Sequence, residues 1–461
     1  MDNVVKTSSG NTYLYSNKYE TFIYIPDDKL ELCESSENSF SDFSDDSNVN
    51  FVDEISDVVV NRNLANMRQV LIEVTDCCNL QCKYCGYGDL YDNYDKRYTK
   101  NQKFEDVKPL LDYLIDLWKS PYNISFKKNI TIGFYGGEPL LNMTLIKSVI
   151  EYLESFHDLP VTFSYNMTTN AVLLDRYIDF LSQKNFDLLI SLDGNRANSM
   201  YRVSMNGKES FDTVYRNVKF VQSNYRDYFD EKVNFNAVLH DLNTIHDIVS
   251  FIKSEFGKIP RIAELNPNGL SKNGIQEMKR MFQSKIEALK ELDEDFLRVE
   301  MEEENPLYSP FHSFIKDFSG NYFNDYIDLF DTEDIPWVPT GTCMPFERKL
   351  FLTVNGKILL CEKVGQKRVL GYIKDKQLHL TLDDIKETYS SSYRKLLSRC
   401  STCFFQKHCS QCIFVIDDSS EKGHCPGYIT KDKAGRYLSS YLSYMEENRH
   451  LYNIMSNIIT D

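Results

Sequence analysis

Basic residues are scarce: 52 Lys and Arg against 68 Asp and Glu leave a formal net charge of −16 over 461 residues. Nucleic acid needs a basic surface, so it is excluded as the main partner, and a basic or polar peptide suits this surface better. Long apolar runs are missing too. Stretches such as LLDYLIDLW are broken by acids well short of the roughly 18 residues a membrane span needs, so no membrane segment is expected. The opening MDNVVKTSSG has neither a basic n-region nor an apolar h-region, which argues against a secretory signal and for a cytoplasmic location. Twelve cysteines would be in the wrong compartment there as disulfides, so metal ligation is the better account of them.

What is present is an ordinary globular mix, 42% hydrophobic and 26% charged, in a chain too long for one core. The organising stretch is TDCCNLQCKYC, Thr75 to Cys85, in which Cys78, Cys82 and Cys85 are spaced C-x3-C-x2-C directly after the apolar run VLIEV. A structural zinc site wants four ligands, whereas a cubane held by three cysteines leaves one iron open to a substrate. For the loop alone, a zinc knuckle or buried thiols is the alternative.

From residue 67 to 290 strands alternate with amphipathic helices. The strands are expected at Val70–Thr75, Ile130–Tyr135, Val161–Thr168, Phe186–Leu192, Val233–Leu239 and Arg261–Leu265. Val107, Leu110, Leu111, Leu114 and Trp118 repeat at helical spacing, as do Leu174, Tyr177, Ile178 and Leu181. Repeated β-α units imply a parallel sheet with its working residues at the C-terminal strand ends. Ahead of this, residues 1–66 hold a hairpin, Thr12 to Pro26, and an acidic Ser-rich linker, ESSENSFSDFSDDSNVN. Residues 291–340 read as a bridge, and the tail 429–461 carries an amphipathic helix from Lys431 with Tyr437, Leu438, Tyr441, Leu442 and Met445 on one face.

The loop CNLQCKYC and the turn GGEP at Gly136 to Pro139 resemble the radical S-adenosylmethionine (SAM) enzymes. The resemblance implies a partial (β/α)6 barrel and a 4Fe-4S cluster on Cys78, Cys82 and Cys85, whose open iron binds SAM. Reductive cleavage of SAM there yields a 5'-deoxyadenosyl radical that abstracts hydrogen. It also implies that Gly136 and Glu138 meet the SAM amino group, that Ser191 and Arg202 bind its carboxylate, and that Tyr84 lies against the adenine. Taken alone these are ordinary residues: Glu138 a helix cap, Ser191 a turn residue, Arg202 a surface charge, Tyr84 a packing aromatic. A leader-peptide-binding role for the N-terminal hairpin, by strand addition, is a further implication; simple packing on the barrel is the alternative.

Residues 341–428 hold a second cysteine field. Cys343-x12-Gly356-x4-Cys361, then Cys400-x2-Cys403-x5-Cys409-x2-Cys412, then Cys425, looks like the SPASM extension of radical SAM peptide maturases, although that extension has three residues where Ser410 and Gln411 give two. Read alone, the Cys400 to Cys412 group would close one zinc site. The resemblance implies two auxiliary 4Fe-4S clusters instead, with Cys400, Cys403, Cys409 and Cys425 on the outer one and Cys343, Cys361 and Cys412 on the inner one. The inner set is one ligand short, so either a non-cysteine group completes it or an iron stays open. Glu362, next to Cys361, matches the position of a proposed catalytic base, with an exposed surface carboxylate as the plain alternative.

The expectation is an α/β enzyme, a radical SAM oxidoreductase with a SPASM domain that modifies or cross-links a ribosomally made precursor peptide, drawing electrons from a donor such as flavodoxin or ferredoxin. An anaerobic sulfatase-maturing enzyme is the alternative within the class, and a non-catalytic zinc-stabilised binding protein the alternative outside it.

Overall fold

The structure, a computed structural model, describes residues 4–16, 21–29, 55–124, 128–267, 269–293, 296–297, 301, 308–318, 344–405, 409, 411–414, 425 and 427–449. The chain divides into two compact units, one of residues 1–55, 302–342 and 389–461, the other of 56–301 and 343–388.

In the first unit, β1 (Val4–Lys6), β2 (Thr12–Ser16) and β3 (Thr21–Ile25) form a three-stranded antiparallel sheet. The expected hairpin is present, with Thr12 opposite Ile25 and Ser16 opposite Thr21, and β1 joins its other edge. A lone hairpin is marginal, and aromatic packing supports this one. Tyr15 and Phe22 pack with Phe314 of the helix Tyr308–Asp317, with Phe318 directly after it, and with Leu438 and Leu442 of the helix Lys431–Glu447. The stacked rings of Phe314 and Tyr441, 4.7 Å apart, join those two helices.

The second unit contains β4 (Gln69–Thr75), β5 (Lys128–Gly136), β6 (Val161–Thr169), β7 (Asp187–Ser191), β8 (Val233–Val238) and β9 (Arg261–Ala263). They run parallel in chain order, matching the six expected strands to within two residues at each end. The connecting helices are amphipathic as read: Val107, Leu110, Leu111, Leu114 and Trp118 are buried on Phe104–Trp118, and Leu174, Ile178 and Leu181 on Leu174–Gln183. Val70, Ile72 and Val74 alternate on β4, and Ile130, Ile132 and Phe134 on β5, all fully buried, each contributing roughly 1.5–3 kcal/mol of hydrophobic stabilisation. The other face is polar. Gln69 reaches Asn166 at 3.4 Å across β5, and a Cβ on Gly133 would stand 2.6–2.9 Å from Leu71, Asn166 and Gln69.

The sheet extends further than the six strands. β10 (Lys349–Leu352) pairs in parallel with β4, and β11 (Lys357–Leu359), β12 (Gly371–Lys374) and β13 (Gln377–His379) continue it as an antiparallel meander. The order β13-β12-β11-β10-β4-β5-β6-β7-β8-β9 is an open sheet, and among the described residues nothing pairs β13 with β9. The physical reason for the extension is the edge of β4: an apolar, hydrogen-bonding edge is covered by KLFL, whose Leu350, Phe351 and Leu352 are buried. The segment read as one unit over 341–428 is therefore divided, residues 343–388 lying with the parallel sheet and Tyr389 onward with the N-terminal sheet. The expected bridge at 291–340 lies largely outside the described residues.

Candidate active site

The three-thiol loop leaves the C-terminal end of β4 and is held from several sides. The Thr75 hydroxyl accepts the Cys77 N–H at 3.0 Å, and the Asp76 carboxylate accepts the N–H of Tyr98 at 2.8 Å. Farther along, the N–H groups of Gln81 and Lys83 donate to the carbonyls of Val203 and Tyr201 at 2.7 and 3.1 Å, and Cys85 N–H closes a turn on the Cys82 carbonyl at 3.1 Å. The Cys78 sulfur accepts from the Leu80 N–H at 3.4 Å and from Asn170 Nδ2 at 3.8 Å. Burial pushes the Cys78 thiol up to about 11 and the Cys82 thiol up to about 12. Bare thiols there stay protonated at neutral pH, and binding of a metal centre would release the protons.

The donor set fits an iron-sulfur cluster. Cys78, Cys82 and Cys85 influence one another electrostatically, and a backbone N–H is aimed at sulfur. Among the described residues no three His, Cys, Asp or Glu side chains converge on one bare ion.

GGEP follows β5, and its glycines face the loop. A Cβ on Gly137 would stand 1.9 Å from the Cys77 carbonyl oxygen, and one on Gly136, where φ is +144°, 2.2 Å from that of Thr75. The close approach makes two hydrogen bonds, Gly137 N–H to Thr75 at 3.0 Å and Glu138 N–H to Cys77 at 2.8 Å. The Cys77 carbonyl thus clamps the turn, while its half-buried thiol stands 3.8 Å from Asp76. Glu138 is buried and accepts from the Thr169 hydroxyl at 2.6 Å, the Asn170 N–H at 2.8 Å and the Leu140 N–H at 3.2 Å. Burial pushes its carboxyl up to about 7 against those three hydrogen bonds. An ammonium brought beside it would favour the charged form.

Beyond β7 the chain builds a network of which the sequence reading named only Tyr84 and Arg202. Asp193, fully buried, accepts from Arg202 Nε at 2.9 Å and Nη2 at 2.8 Å, from the Val238 N–H at 2.9 Å and from the Tyr84 hydroxyl. His240 Nε2 stands 3.6 Å from the same carboxylate, and Tyr84 stacks on the His240 ring at 5.6 Å. Burial opposes charge on Asp193, but Arg202 outweighs it and holds the carboxyl at about 2. Two of the five N–H donors of Arg202 are thereby committed to Asp193, so a second carboxylate would meet it through Nη1 and the remaining N–H of Nη2. Ser191 ends β7 in register with Asn236. Asp193 carries no partner signal in the sequence, since His240 is 47 positions away.

In the second cysteine field, Cys361 and Glu362 follow β11. Glu362 pairs with Lys349 at 3.1 Å, and both are partly buried. Burial raises the Tyr94 hydroxyl, with Cys361, Glu362 and Cys85 adding to it, so these groups share one electrostatic neighbourhood. In the other unit, burial pushes Cys400 up to about 12, with Cys409, Cys403 and Cys425 contributing, which brings the four expected outer ligands together. Cys412 belongs to that unit as well. Cys343 and Cys33 lie outside the described residues.

A three-thiol loop at the C-terminal edge of a parallel sheet, clamped by a glycine-rich acidic turn, defines an α/β protein with its candidate site at the strand ends. Residues 72–254 match the family model of the radical SAM superfamily, and that family implies a 4Fe-4S cluster and SAM. It is 33% identical over 150 residues to an uncharacterized protein of Methanocaldococcus jannaschii, covering 32% of this chain and 46% of that one. It is 24% identical over 210 residues to the radical SAM cyclopropyl synthase TigE of Paramaledivibacter caminithermalis (44% and 42% covered). It is 29% identical over 182 residues to the cysteine-type anaerobic sulfatase-maturating enzyme of Clostridium novyi (39% and 46% covered). The chain thus spans somewhat under half the length of these curated relatives. Among solved structures, native anSMEcpe with bound AdoMet superposes with a TM-score of 0.54 at 18% identity, over 85% of this chain and 100% of that one, a likeness of fold. The same protein with a bound Kp18Cys peptide gives 0.53 at 18% identity, over 85% and 99%.

Proposed function

We propose that this chain is a radical SAM/SPASM peptide maturase that oxidatively modifies or cross-links a ribosomally made precursor. The observation that carries the reading is the clamp between GGEP and the three-thiol loop, which brings the Glu138 turn and Cys78, Cys82 and Cys85 into one rigid group. When bound, a cubane with SAM supplies hydrogen-atom abstraction from an unactivated C–H bond. The chain's own residues do the rest. Cys78, Cys82 and Cys85 hold the metal; Glu138 and the Gly136 backbone receive an ammonium; Ser191 and Nη1 of Arg202 receive a carboxylate; Tyr84 supplies a ring face.

Glu362, paired with Lys349 at 3.1 Å, would take a proton from substrate. Cys400, Cys403, Cys409 and Cys425 hold one auxiliary 4Fe-4S cluster, and Cys343 and Cys361 contribute to a second. The substrate class rests on the peptide bound by anSMEcpe and on the similarity to TigE. Electrons would come from a flavodoxin or ferredoxin, and the N-terminal sheet would receive a leader segment. Formylglycine generation on a sulfatase is the second reading, favoured by the similarity to the Clostridium novyi enzyme.

The test is anaerobic reconstitution with iron and sulfide, followed by SAM and dithionite, with 5'-deoxyadenosine as the readout. The cleavage product is expected from the wild type and not from the Cys78→Ala, Cys82→Ala or Cys85→Ala variants. Protein that takes up about two zinc ions, no acid-labile sulfide and cleaves no SAM would instead be the zinc-stabilised binding protein.

A further inference from the structure

The loop around Cys82 and the segment around Arg202 run as a short antiparallel pair. Gln81 N–H donates to Val203 at 2.7 Å and Lys83 N–H to Tyr201 at 3.1 Å, with Leu80 bridged to Ser204. Cys82 therefore stands opposite Arg202 in register. The backbone of Arg202 is itself fixed, its N–H donating to Ser199 at 2.9 Å and its carbonyl accepting the Ser210 hydroxyl at 2.6 Å. Its guanidinium is then turned by one group: Asp193 takes Nε and Nη2 in a two-point contact inside a site where the two side chains are 0% and 8% exposed. The same carboxylate accepts the Tyr84 hydroxyl, so Arg202 and the Tyr84 ring, 5.5 Å apart, are oriented by one residue on the Cys82 side of the loop.

We propose that Asp193 is a positioning residue for the SAM site, holding Arg202 opposite Cys82 with its Nη1 edge presented to the SAM carboxylate and keeping Tyr84 in place beside it. The proposal rests on the reading of this site as a SAM site, and it adds a residue which that reading does not use. A planar, two-point contact is needed because a flexible guanidinium in a buried pocket would adopt several orientations. The loss of a partner that orients a ligating group typically weakens binding roughly 10- to 100-fold.

The test uses the full chain, reconstituted anaerobically, with SAM affinity measured by equilibrium dialysis and the reduced protein recorded by EPR with and without SAM. Asp193→Asn and Arg202→Lys are each expected to load iron like the wild type, to weaken SAM binding roughly 10-fold or more, and to alter the SAM-dependent change in the EPR signal. The double variant is expected to bind no more weakly than the weaker single, because Asp193 acts through Arg202. Wild-type affinity and an unchanged signal for Asp193→Asn overturn the proposal, as do effects that multiply in the double variant. Should Asp193→Asn fail to fold, Arg202→Lys decides alone: lysine keeps the charge but not the two-point contact, and wild-type SAM binding by it overturns the proposal. Absence of SAM binding by the wild type would overturn the reading of the site itself. Normal wild-type binding with a normal Asp193→Asn overturns this inference only.

Discussion

Gly137→Ala separates a clamp from a ligand contact as the purpose of GGEP. The added Cβ would stand 1.9 Å from the Cys77 carbonyl oxygen, 2.4 Å from its carbon and 2.9 Å from the Cys78 nitrogen. All three are backbone atoms, so no side chain can swing away, and the turn must part from the loop. The strain of such overpacking is typically about 1–3 kcal/mol. Two backbone hydrogen bonds, Gly137 to Thr75 and Glu138 to Cys77, weaken with it, at about 1 kcal/mol each. The sum, roughly 3–5 kcal/mol, falls on the segment that must present Cys78, and the expected result is a lower thermal midpoint together with lower iron and sulfide uptake. Gly86→Ala is the control, since a Cβ there meets nothing within 4 Å although it adjoins Cys85. It should change stability by no more than about 0.5 kcal/mol. Reconstitution followed by iron and sulfide assay and a thermal melt reads both. A Gly137→Ala protein that melts and loads iron like Gly86→Ala would refute the clamp.

Glu138, raised from 4.5 to about 7 by burial, binds more protons folded than unfolded. Its contribution to stability is therefore full below the unfolded value and is lost as pH rises towards 7, by up to about 3 kcal/mol. Urea titrations of metal-free protein should show this fall between pH 4.5 and 7 and its absence in Glu138→Gln. Glu362→Gln should leave SAM cleavage intact while peptide modification drops by about 100-fold or more, read by mass spectrometry of the product. Cys400→Ala should reduce bound iron by about four atoms while the SAM-responsive EPR signal persists, because the loop of Cys78, Cys82 and Cys85 lies in the other compact unit.

The sequence by itself determined the parallel sheet, its six strands to within two residues, and the placing of the thiol loop and GGEP at strand ends. These are local signals: alternation of apolar residues, helical repeats such as Val107 to Trp118, and short motifs whose spacing is chemical. Tertiary structure alone decided the rest. Strand β10 covers the β4 edge from nearly 280 residues away, a pairing that no local pattern announces because any short apolar run such as KLFL fits any open edge. It also decided that the glycines of GGEP answer to the carbonyls of Thr75 and Cys77, and that Arg202, Tyr84, Val238 and His240 converge on Asp193. A buried carboxylate must find its donors wherever the fold brings them, and that meeting is fixed by the packing of strands and loops, not by the order of residues along the chain.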